Sequence, residues 1–94
     1  MERMQRIEEM EAHLDAATTA VRHLSEALDL FEEAQIDISI LSDYYQSDDW
    51  KQDFEADENG LLPTDIKRGV LSEDGIWDLL DDVQQVKDRM NLLL

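Results

Sequence analysis

The sequence predicts an all-α fold: a long N-terminal helix packed antiparallel on a C-terminal helix, with shorter central helices completing a bundle. Three observations carry that prediction. Only 3 Gly and 1 Pro in 94 residues leave few places to break a helix. A composition of 43% hydrophobic and 34% charged residues suits amphipathic helices better than a turn-rich sheet. Apolar residues then recur as Ile7, Met10, Leu14, Ala17, Val21, Leu24, Leu28 and Phe31, an unbroken alternation of three and four that defines a heptad seam. A chain of this length makes one domain, residues 1–94, with a modest core.

The first helix spans about residues 3–33 and continues, with a bend near Glu33 to Gln35, to about Tyr45. Ala20, Ala27 and Ala34 widen its seam on one side and let a neighbouring helix come close. Glu2 and Arg6 are spaced for an i,i+4 ion pair. Ile36, Ile38 and Ile40 alternate as a strand would, but a lone five-residue strand has no partner here, so the helix reading is preferred. In SDDWKQDFEADENG, Ser47 caps a second helix, Asp48 and Asp49 favour its dipole, Trp50 and Phe54 share a face, and Asn59 with Gly60 stop it. TDIKRG reads as a short third helix, capped by Thr64, opened by Asp65, closed by Lys67 and Arg68, and left through Gly69. The last helix opens at SEDGIWDLL with Ser72 as cap and Glu73 and Asp74 in its first turn. Its buried face is Ile76, Leu79, Leu80, Val83, Val86, Met90 and Leu93.

The 24 acidic and 8 basic residues give a formal charge of -16, which repels phosphate backbones and anionic headgroups. Direct nucleic-acid or membrane binding is not expected. No cysteine is present for disulfides, thiolate metal sites or nucleophilic catalysis. The charged start MERMQRIEEME is no signal peptide and no run reaches the ~20 apolar residues of a membrane span, so a cytoplasmic location is expected.

The stretch EADENGLLPTDI, Glu55 to Ile66, imitates the start of a calcium loop, with Glu55, Asp57 and Asn59 ahead of Gly60. Ile66 stands where a bidentate carboxylate is required and Pro63 stiffens the return, so helix capping is the better reading of Asn59 and Gly60. His13 and His23 lie ten residues apart on one helix and cannot share an ion. Adjacent acids such as Asp81 and Asp82 arise by chance among so many. With no phosphate loop, catalytic triad or zinc spacing, neither catalytic residues nor a cofactor or metal is expected. Tyr44, Tyr45, Trp50 and Phe54 remain as core filling or as anchors for a partner. Lys67 and Arg68, the one basic pair of the central region, either hold the turn against nearby acids or anchor an anionic group.

Tyr44-Tyr45, Trp50, Glu55 with Asp57, Leu62-Pro63 and the block KRGVLSED, Lys67 to Asp74, resemble the family catalogued as domain of unknown function 4298. The long acidic helix before them is also similar. That resemblance implies a small, helical, intracellular bacterial protein of no established activity. The expectation is a non-enzymatic protein-interaction module that self-associates, a homodimer being favoured because the first helix outruns what the others can cover. The alternative is a nucleic-acid mimic whose acids, dense from Asp43 to Glu58, occupy the basic groove of a DNA- or RNA-binding protein.

Overall fold

The computed structural model describes residues 2–94. Its elements are α1 (Arg3–Tyr45), α2 (Asp48–Glu58), a 3-10 turn (Gly69–Leu71) and α3 (Gly75–Leu93), with no strand among the described residues. Two compact units divide the chain, Met1–Gln35 and Ile36–Leu94.

In the first unit α1 begins where the Glu2 carboxylate takes up two of the otherwise unpaired amides of the opening turn. Met4 N–H donates to Glu2 Oε1 at 2.8 Å and Gln5 N–H to Oε2 at 3.2 Å. Glu2 therefore caps the helix; the expected ion pair with Arg6 does not form, because the carboxylate is already committed to the backbone. Helical hydrogen bonding then continues without a break to Tyr45, so Ile36, Ile38 and Ile40 are helical, as the lack of a partner for a lone strand implies.

The second unit is built around a short apolar nucleus. Leu71 and Ile76 are its two buried hydrophobics, at 7% and 3% exposure. Burying side chains of this size stabilises by roughly 1.5–3 kcal/mol each. Around them the 3-10 turn packs on both α2 and α3. The final turns of α1 meet α3 at its start: Leu41 shares an open apolar cleft of about 390 Å³ with Val70, Ile76 and Leu79. Within the second unit the end of α1 thus lies beside the start of α3. Farther along α3, Leu80, Val83 and Met90 are half-buried. Leu93, assigned to the buried face, is 84% exposed, because the packing on α3 gathers near its first turns.

Local rules explain most boundaries. Ser47 Oγ accepts from Trp50 N–H at 3.2 Å and donates to the Tyr44 carbonyl at 2.6 Å, closing α1 and opening α2 with one side chain. At its other end α2 finishes in a Schellman arrangement: Leu61 N–H donates to Ala56 O and Gly60 N–H to Asp57 O, each at 3.0 Å. Gly60 supplies the left-handed residue, with φ 70°. Leu62 is half-buried after the cap while Leu61 stays exposed.

Residues 65–68 do not form the short helix expected from TDIKRG. So few residues close about one helical hydrogen bond, which does not offset nucleation. The chain instead turns to reach the 3-10 segment, one residue beyond Arg68. Ser72 then serves both sides of the next junction, donating to the Gly69 carbonyl at 2.8 Å and accepting from Gly75 N–H at 3.0 Å. Because Ser72 closes the 3-10 turn as well, α3 starts at Gly75, and Glu73 and Asp74 precede the helix rather than occupying its first turn.

Candidate interaction surfaces

Three aromatic rings converge where α1 hands over to α2, and Tyr44 precedes them in sequence. Tyr45 meets Trp50 edge to face, with ring centroids 5.0 Å apart and planes at 68°. Trp50 in turn stacks on Phe54, one helical turn along α2, at 5.2 Å and 21°. The indole N–H donates to the Val70 carbonyl at 2.8 Å, tying α2 to the 3-10 turn across 20 residues of sequence. All four rings are half-buried. They fill space within the second unit and leave part of each face open, so packing and contact with a partner draw on the same side chains.

Tyr44 points to the acidic side of this cluster. Its hydroxyl donates to Asp53 Oδ2 at 2.6 Å, across the α1–α2 junction. Ionising the phenol would forfeit that hydrogen bond; partial burial and the negative charges of Asp53 and Asp49 add to the effect, pushing its pKa from 10.0 up to about 12.

The basic pair separates into two roles. Arg68 Nη1 pairs with Asp57 Oδ1 at 2.9 Å and Nη2 donates to the Pro63 carbonyl at 2.6 Å. One guanidinium thus clasps the last turn of α2 to the loop that leaves it. Lys67 is exposed and borders the apolar cleft beside Gly69 and Val70. The two are adjacent in sequence yet do not form one cationic site.

Glu55 and Asp57 lie within α2 and Asp57 is engaged by Arg68, while Asn59 and Gly60 form its end. The segment that resembles a calcium loop is therefore a helix terminus. Among the described residues no group of three or more His, Cys, Asp or Glu side chains is placed to hold a metal ion. His13 and His23 are exposed on α1.

The seam of α1 leaves a line of large apolar side chains in water. Met4, Ile7, Met10, Leu14, Val21 and Leu24 are each at least half exposed. Sequence reasoning located this seam and the aromatic cluster but missed two features, the Val70 carbonyl as partner of Trp50 and the exposure of Trp77, at 54%. A signal for the first exists in Val70-Leu71, an apolar pair isolated between Gly69 and Ser72. Trp77 sits beside Ile76 on a helix whose other apolar residues repeat at helical spacing, and being off that stripe was its only mark.

No helix among the described residues is long and apolar enough to cross a membrane. No curated protein and no solved structure matches the chain. The family described as Domain of unknown function (DUF4298) matches residues 7–92, which take in the seam, the aromatic cluster and the KRGVLSED block alike, and the chain belongs to that family.

Proposed function

We propose that this protein is a non-enzymatic interaction module that self-associates through the apolar seam of α1. The reading rests on one observation: a regular heptad seam whose large side chains from Ile7 to Leu24 are exposed. Leaving such a stripe in water forgoes roughly 25 cal/mol for each Å² of apolar surface that a partner would cover. Three-and-four spacing is the geometry that a second helix fills by knobs-into-holes packing. The half-exposed aromatic cluster and Lys67 provide a second face, in the other unit, for whatever partner the assembled protein binds.

The test is the solution mass by light scattering over a concentration series. A dimer is expected, and Leu14→Glu with Leu24→Glu should return it to a monomer while the Trp50 fluorescence of the second unit is unchanged. A monomeric wild-type protein at high concentration would overturn the reading.

A second reading, mimicry of nucleic acid, is favoured by the exposed acids Asp43, Asp48, Asp49, Asp53, Glu55 and Glu58. It requires a basic protein partner whose affinity collapses as salt rises, since the attraction would be largely electrostatic.

A further inference from the structure

Resting on self-association through the seam, we propose that the second copy binds antiparallel, in the register that pairs all eight seam layers about a two-fold axis near residue 19. Three independent features of the chain select this arrangement over the parallel one.

The first is layer size. In this register Ile7 meets Phe31 of the second copy, Leu14 meets Leu24, and Ala17 meets Val21, so large residues face medium ones and the small Ala17 faces a β-branched side chain. A parallel pair would instead set Phe31 on Phe31 and Ala17 on Ala17, crowding one layer and leaving a void in another, both of which close packing penalises.

The second is the flank beside the seam. Its residues run Arg6, His13, Ala20, Ala27 and Ala34, bulky at the start and small at the end. Antiparallel helices bring Arg6 against Ala34 and His13 against Ala27, with Ala20 meeting its own copy at the axis. The gradient cancels, and the backbones approach closely along the whole length. A parallel pair gains proximity of Arg6 to Glu11 at two places, but exposed ion pairs of this kind are weak and screened by salt.

The third is charge. After Arg22, α1 carries Glu26, Asp29, Glu32, Glu33, Asp37 and Asp43 and no lysine or arginine. Parallel pairing would set these acidic C-terminal turns of the two helices side by side. Antiparallel pairing places them toward opposite ends of a seam that runs from Ile7 to Phe31, roughly 36 Å at ~1.5 Å per residue. That is several times the ~8 Å Debye length at physiological salt, so their repulsion is screened away. The α1 dipoles also oppose one another in this arrangement.

Size limits the register: eight layers burying on the order of 100 Å² each reach the roughly 800 Å² per partner of a standard interface, so an antiparallel pair staggered to fewer layers falls short.

The experiment exploits the absence of native cysteine. Glu33→Cys, exposed and opposite the seam on α1, takes one spin label per chain, and the distance between labels is measured by dipolar spectroscopy on a sample whose mass is read by light scattering. A dimer with labels roughly 40 Å apart is expected, because position 33 lies about 14 residues from the axis in each copy. A dimer with labels within roughly 20 Å, about the width of two helices, would overturn the antiparallel arrangement while leaving seam-mediated association standing. A monomer would overturn both. To tie the distance to the seam, adding Leu14→Glu and Leu24→Glu to the labelled chain should abolish the dipolar signal; its persistence would mean that another surface makes the dimer and would overturn the proposal.

Discussion

Gly60 holds the one positive φ among the described residues, 70°, and a Cβ added there would touch nothing within 4 Å. The cost of Gly60→Ala is therefore conformational, on the order of 1 kcal/mol, and should appear as a lower urea midpoint with an unchanged slope. Gly75 is constrained by neighbours instead. A Cβ there would collide with the Gly69 carbonyl oxygen and stand 2.7 Å from Ser72 Oγ, both parts of the junction that starts α3. Gly75→Ala is accordingly expected to destabilise by about 1–3 kcal/mol, more than Gly60→Ala in the same titration. Tyr44 gives a pH signature. Its phenol is held protonated by Asp53, so its contribution to stability is complete below the ordinary value of 10.0 and lost as pH rises toward about 12. In a Tyr45→Phe background, tyrosinate absorbance should develop near that higher value and return toward 10.0 on Asp53→Ala; an unshifted titration in the parent would exclude the Tyr44–Asp53 hydrogen bond. Of these residues Gly60 was legible from Asn-Gly at the end of an amphipathic run, a purely local rule. Gly75 and the Tyr44–Asp53 pair were not, because their roles depend on backbone and side chains that only the fold brings near.

Elements joined by a single polar contact make the next scale testable. Trp50 links α2 to the 3-10 turn through Val70, so Trp50→Phe keeps a ring against Tyr45 but leaves that carbonyl without its donor. A loss of about 0.5–1.5 kcal/mol is expected in thermal or denaturant unfolding. Arg68→Gln together with Lys67→Gln should likewise lower stability, by about 1 kcal/mol given that the Arg68–Asp57 pair is partly exposed, with the whole effect reproduced by Arg68→Gln alone. Equal contributions from both positions would contradict the separation of their roles. The helix ends at Ser47 and Gly60 could be read in advance because capping is settled within a few residues. TDIKRG carried the same grammar and failed, since its segment is too short to nucleate and Arg68 is worth more across the loop than inside a helix.

Over the whole molecule the helical class followed from composition and the three-and-four spacing of the seam, and the continuation of α1 past Phe31 from the absence of any partner for a lone strand. How much of the seam the chain would cover did not, because that depends on tertiary contacts no pattern encodes. The formal charge of -16 makes association sensitive to ionic strength with a definite sign. Two copies repel, so added salt should tighten the dimer in light scattering, whereas a complex with a basic partner should loosen under the same change. The division into two units has one more consequence, for spectroscopy. Every tryptophan and tyrosine lies after residue 35, at Tyr44, Tyr45, Trp50 and Trp77, so intrinsic fluorescence records the second unit alone. Circular dichroism is weighted toward α1, the longest helix by far at 43 residues. Dilution that erodes ellipticity while emission holds steady would place the melting helix before residue 36, giving an optical assay for the seam that needs no label and no mutation.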